Sequence, residues 1–116
     1  ALISSKDTKP ELRVRQRLFE AGFRYRLHVQ GLPGHPDIVM RKYATAIFVN
    51  GCFWHRHECK LGQRLPSSNR DYWAPKLARN KERDRENYVR LRSIGWNVEI
   101  VWACQVVQDT DRILES

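Results

Sequence analysis

The sequence predicts an α/β domain with the element order αβββαβ. Three observations lead there: a capped helical stretch near the start, period-two alternation through the middle, and a long breaker-poor helical stretch followed by one more alternating run. The chain has 116 residues, which fits a single domain over residues 1–116 with a modest core. There is no internal repeat, low-complexity tract or domain linker.

Thr8-Lys9-Pro10-Glu11 has the spacing of a capping box with Pro in the first turn, and Leu12, Leu18, Phe19 and Ala21 follow until Gly22 can end the helix. Phe23, Tyr25, Leu27 and Val29 then alternate with Arg24, Arg26 and His28, the pattern of a half-buried strand. Gly31-Leu32-Pro33-Gly34-His35-Pro36 is turn chemistry. Residues 37–40 and 44–49 are apolar enough for two central strands, joined by Arg41-Lys42-Tyr43. Residues 61–69 look like a loop, and residues 75–93 are rich in helix formers, with Gly95 as a stop. Trp96, Val98, Ile100 and Trp102 alternate into a last strand as core residues, and residues 109–114 start another helix.

Asn50-Gly51-Cys52-Phe53-Trp54-His55-Arg56-His57-Glu58-Cys59 crowds two thiols, two imidazoles and large aromatics into one short segment. Cys52, Cys59 and a histidine, with Cys104 returned from downstream by the fold, would supply three sulfurs and one nitrogen, which is a closed structural zinc site. His57 and His55 both compete for the nitrogen position, and Cys104 taken alone reads equally well as a small apolar core residue. A disulfide framework is the poorer account, because three cysteines leave one unpaired.

The 21 Lys and Arg outnumber the 13 Asp and Glu for a formal charge of +8, which favours a polyanionic partner. Without a lipid-anchor motif or an apolar run of spanning length, that partner is expected to be nucleic acid rather than a membrane. The first residue is Ala rather than Met, so a processed or trimmed start is expected.

Pro36-Asp37 at the start of the second strand and Phe48-Val49-Asn50-Gly51-Cys52-Phe53-Trp54-His55 closing the third resemble the very short patch repair (Vsr) endonucleases, a zinc-containing branch of the PD-(D/E)-x-K nucleases. The resemblance extends through Asn80-Lys81-Glu82-Arg83-Asp84 and Gly95-Trp96-Asn97-Val98 to Val101-Trp102-Ala103-Cys104. It implies a restriction-endonuclease-like α/β fold, an αβββαβ core with a mixed central sheet stabilised by a structural zinc site, and a cytoplasmic bacterial enzyme, associated with the nucleoid when acting. Its implied activity is nicking one DNA strand 5′ to the thymine of a T:G mismatch left by 5-methylcytosine deamination. It further implies that Asp37 and the Val49 carbonyl hold catalytic Mg²⁺, that His55 is the general base, and that Glu11 supports the metal-water network. Cys52, His57, Cys59 and Cys104 would hold one structural Zn²⁺, and Phe53, Trp54 and Trp73 would wedge into the duplex. Mismatch-repair proteins are the candidate protein partners of an otherwise monomeric enzyme.

The residue types suit that chemistry: carboxylate and carbonyl oxygens favour Mg²⁺, and an imidazole titrating near neutrality can accept a proton from water. Lys76, Asn80 and Arg83 are candidate phosphate contacts within a mostly solvated helix. Two departures stand out. Asn50 occupies a position where the best-known form of the family has His; it cannot be a general base, though it can orient a water or phosphate oxygen. The arm ahead of the first helix, residues 1–6, is short.

Bland readings compete with several of these roles. Glu11 also fits as a capping residue, Asp37 as a turn former, and Phe53 and Trp54 as core. His28 and His35 are given at most a phosphate contact. Two other functions are compatible with the residues: a mismatch-independent or restriction-type nicking nuclease, and a non-catalytic zinc-stabilised DNA-binding module.

Overall fold

A computed structural model of the chain describes residues 8–51 and 70–115. Among them the helices are α1 (Lys9–Glu20), α2 (Arg70–Ser93) and α3 (Val106–Glu115), and the strands are β1 (Arg26–Leu27), β2 (Ile38–Met40), β3 (Thr45–Asn50) and β4 (Asn97–Trp102). The order is the expected αβββαβ with one further helix.

α1 begins where the capping pattern places it. The Thr8 hydroxyl accepts the Glu11 N–H at 3.4 Å, and Pro10 sits in the first turn, where its missing N–H costs nothing. The helix ends in a Schellman arrangement around Gly22 at φ +95°: the Gly22 N–H donates to the Phe19 carbonyl and the Phe23 N–H to the Leu18 carbonyl, both at 3.0 Å. Glu11, Val14 and Leu18 form its buried stripe, whereas Leu12 and Phe19 are 47% and 56% exposed.

The sheet order is β1-β2-β3-β4. β1 and β2 are antiparallel, as are β2 and β3, while β4 joins β3 in parallel after the α2 crossover. The sheet is therefore mixed, as expected. Side chains of β3 alternate between two faces. Ile47 and Val49 join Ile38 and Val101 under α1 and α3, and Ala46 and Phe48 join Leu91 and Tyr88 of α2.

The expected strand over residues 23–29 shrinks to two paired residues, both exposed. Its partner β2 is only three residues long, and His28 enters the left-handed region at φ 49°, which ends the ladder. Phe23 and Tyr25 still pack on the core, but Leu27 is 39% exposed. α2 starts earlier than the expected residue 75 and runs through Pro75, giving up the bond an N–H there would make.

The turn before β2 is packed tightly against α2. A Cβ on Gly34, at φ +80°, would lie 3.1 Å from both Phe48 Cε1 and Asn87 Cβ, so only glycine fits this conformation and this approach. At the other end of the chain the buried Asp109 carboxylate accepts the Trp102 N–H at 2.9 Å and bonds from Gln105 and Arg112 at 3.0 Å. It thereby fixes the turn Ala103–Gln105 that follows β4. No helix among the described residues is long and apolar enough to cross a membrane.

Candidate active site

Asp37 stands immediately before β2 and is tied to β3 twice. Its N–H donates to the Ile47 carbonyl at 3.1 Å, and its Oδ2 accepts the Val49 N–H at 2.8 Å. A carboxylate merely forming a turn would not need a partner on the central strand.

The β1–β2 register, Leu27 with Ile38, continues to His28 opposite Asp37, and the His28 N–H donates to the Asp37 carbonyl at 3.0 Å. From the helix below comes Glu11, only 1% exposed, with its Oε2 at 3.1 Å from His28 Nε2. One donor atom from each of Glu11, His28 and Asp37 lies within 4.8 Å of the others. Arg15, one turn beyond Glu11, forms an ion pair with the same Glu11 oxygen, and its Nη2 is 3.1 Å from His28 Nε2.

Glu11 is thus more than a cap. The backbone at that position is held by Thr8, while the carboxylate faces Arg15 and His28. A carboxylate this deeply buried is stable only when paired and hydrogen-bonded, a condition those neighbours meet.

Asn50 closes β3, is 4% exposed, and donates its amide N–H to the Tyr88 hydroxyl at 2.8 Å. Burial pushes the Tyr88 phenol up to about 12; the Asn50 bond partly opposes this, and the negative charges of Asp84 and Asp37 reinforce it. Tyr88 is consequently neutral at any physiological pH, and Asn50 is a fixed amide with no capacity as a base.

Of the residues expected in the site, Glu11, Asp37, Val49 and Asn50 come together at one end of the sheet. The DNA candidates lie along α2. Trp73 is half-buried and edge-on to Tyr72 with centroids 5.2 Å apart, and the Lys76 ammonium sits 5.4 and 5.7 Å from those two rings. Asn80 and the exposed Arg83 follow at helical spacing on the same side, Arg83 with Asp84 at 3.5 Å.

Cys104 is exposed, which removes the reading of it as a packed core residue. It lies two residues past Trp102, the register partner of Asn50, so the parallel pair β3 and β4 brings it to the end of the sheet from which the chain leads on to Cys52. Cys52, Phe53, Trp54, His55, His57 and Cys59 lie outside the described residues.

Sequence reasoning missed His28, Arg15 and Tyr88. The signal for His28 was the pairing of the first two strands, since once Leu27 is set against Ile38 the next pair is His28 and Asp37. Composition and periodicity alone carry no such register.

Among the described residues, a mixed four-stranded sheet covered on both faces, with a cluster of buried Glu11 and half-buried His28 and Asp37 at one end of its central strands, is an α/β domain whose architecture matches a nuclease-like fold. Comparisons with known proteins agree. A family model described as DNA mismatch endonuclease Vsr matches residues 1–61. A type II nicking enzyme of Xanthomonas oryzae is 47% identical over 104 residues, covering 90% of this chain and 76% of its own length. One from Neisseria meningitidis is 48% identical, covering 90% of this chain and 74% of its own. The DNA mismatch endonuclease Vsr of Escherichia coli is 41% identical over 102 residues, or 88% of this chain and 65% of its own. The chain belongs to the Vsr family of DNA endonucleases.

Proposed function

We propose that this endonuclease nicks one strand of duplex DNA 5′ to the thymine of a T:G mismatch, by Mg²⁺-dependent hydrolysis, and so initiates repair to C:G. The observation that carries the reading is the Asp37 carboxylate held at 2.8 Å on the Val49 N–H, beside buried Glu11 and at the end of the central strand. The donor set fits a hard cation, because Asp37, Glu11 and the Val49 carbonyl offer oxygen. Bound Mg²⁺ supplies charge neutralisation at the scissile phosphate and a lowered pKa for an attacking water.

The chain's own residues do the rest. Asp37 and the Val49 carbonyl position the cation, with β2 and β3 as a rigid base for both. Glu11 orients water from beneath. His55, five residues past the end of β3 in the sequence, takes the proton from the attacking water. Asn50 stays neutral and, held by Tyr88, orients a water or a phosphate oxygen without accepting the proton.

Recognition is assigned to Phe53, Trp54 and Trp73 as wedges, and to Lys76, Asn80 and Arg83 as phosphate contacts on α2. Opening a stack costs a few kcal/mol per step and is cheapest at a poorly stacked wobble pair, so deformability itself discriminates T:G. We also propose that Cys52, His57, Cys59 and Cys104 hold one structural Zn²⁺, a reading supported by the exposed thiol of Cys104 beside the end of β3.

A second reading is a nicking enzyme indifferent to mismatches, kept beside the first because the type II nicking enzymes among the relatives are named for nicking and their names specify no mismatch. Nicking of matched and T:G duplexes, each with Mg²⁺ or EDTA, decides between them. Mismatch-selective cleavage that EDTA abolishes is the expected outcome, and equal cleavage of the matched duplex favours the second reading.

A further inference from the structure

Two residues outside the expected site touch its cation donors. His28 Nε2 is 3.1 Å from Glu11 Oε2 and also 3.1 Å from Arg15 Nη2, and the same Arg15 nitrogen pairs with Glu11. A guanidinium only donates and a carboxylate only accepts, so Nε2 stands between partners of opposite demand. Nη2 has two hydrogens and reaches both the Glu11 oxygen and the His28 nitrogen. One ring nitrogen of His28 lies within 4.8 Å of a carboxylate oxygen from Glu11 and one from Asp37, the spacing of a shared cation site.

We infer that His28 is a nitrogen ligand of the cation site, one that shifts its preference from Mg²⁺ toward first-row ions such as Mn²⁺, and that Arg15 competes with the cation for Glu11 and His28. The inference rests on the reading of Asp37 as a cation ligand. Mg²⁺ demands near-ideal oxygen coordination and gains little from an imidazole, whereas first-row divalent ions accept nitrogen readily. Glu11 and His28 each use a single Arg15 nitrogen, so an incoming divalent ion and the guanidinium draw on the same lone pairs. Their charges also repel at this range in a partly buried site. Arg15 is held near the site by α1, which bears both it and Glu11 one turn apart.

The test is Mn²⁺ binding to the zinc-loaded full chain without DNA, followed by the loss of the free-ion electron paramagnetic resonance signal, with Mg²⁺ as competitor. His28→Gln should weaken Mn²⁺ by about tenfold or more and Mg²⁺ much less, narrowing the ratio between them. Arg15→Gln should tighten both ions by at least about tenfold, while Arg15→Lys, which keeps the charge, stays near the wild type. In the wild type, spin-echo modulation should reveal a directly bound imidazole nitrogen, lost in His28→Gln. Unchanged Mn²⁺ affinity in both His28→Gln and Arg15→Gln, with Asp37→Asn abolishing binding, overturns the inference alone. Mn²⁺ binding that Asp37→Asn leaves intact overturns the reading of Asp37 and this inference with it.

Discussion

Under α1 and α3 the sheet is sealed by Val14, Leu18, Ile47, Val101 and Ile113, all 4% exposed or less, and α3 buries Val106, Asp109, Thr110 and Ile113 at helical spacing. On the other face lies a helix of 24 residues in which Leu77 and Leu91 are the buried apolar residues among those described. The cluster there is Ala46, Phe48 and Leu91, supported by half-buried Leu32, Tyr88, Trp96 and Val98. Towards the end of β3 its facing residues turn polar: Asn50 bonds Tyr88, and Lys76, Asn80 and Asp84 continue the line. The first face is built for stability and carries Glu11, among the described residues the one buried carboxylate within reach of the site. The second presents polar and basic groups able to meet a polyanion, and in a domain this small the first face and, as proposed, zinc add to its stability.

If the faces divide the work in this way, the most damaging single change is one at their shared end. Asp37→Ala should abolish nicking while leaving duplex affinity nearly intact, because a cation ligand goes and the basic surface stays. His55→Ala should lower the rate by about 10²- to 10⁴-fold in the same pattern. Single-turnover nicking together with a binding isotherm measures both, and near wild-type cleavage by Asp37→Ala would refute the site.

Next come the two structural supports. Ile47→Ala, on the α1 and α3 face, should cost about 2–5 kcal/mol in chemical denaturation, while Val89→Ala on the solvent side of α2 should stay within about 0.5 kcal/mol. Cys104→Ser should release zinc and lower the melting temperature together. A preparation with no zinc by elemental analysis, or an unchanged melt, would leave the second face without its proposed support.

Smaller effects separate recognition from adhesion. Trp54→Ala should collapse the preference for T:G over matched duplex, whereas Lys76→Ala and Arg83→Ala should weaken both duplexes alike and reduce the salt slope by about one each. Binding at several fixed ionic strengths resolves the two patterns. A Trp54→Ala protein that is less stable but equally selective would mean that the ring is packing.

The least disruptive change probes the polar line itself. Burial holds the Tyr88 phenol up at about 12 from its ordinary 10.0. The folded state keeps this proton where the unfolded chain loses it, so the contribution is complete below pH 10 and is lost as pH rises towards 12. Tyr88→Phe should remove the late tyrosinate absorbance step and flatten the stability loss across that window. Persistence of the step in the variant would assign it to another tyrosine.

Local order was legible in the sequence because its signals are local. The cap at Thr8, the stop at Gly22, the apolar run of β3 and the turn before Asp37 are each written in neighbouring residues and lie where expected. In β4, by contrast, the fully buried residue is Val101, and the expected core residues Trp96, Val98, Ile100 and Trp102 are half-buried. The pairing of Asp37 with the end of β3 was legible only through resemblance, since a carboxylate after proline reads equally well as a turn. What tertiary structure decided was register and burial. A two-residue pairing between β1 and β2 set His28 against Asp37, and the packing of α1 turned Glu11 inward to Arg15 and His28 instead of leaving it a cap. It likewise left Leu12 and Phe19 outside and put Cys104 on the surface instead of in the core. Strand register and helix rotation depend on the sum of contacts across the whole core, so residues brought together from α1, β1 and the start of β2 leave no periodic trace in the chain between them.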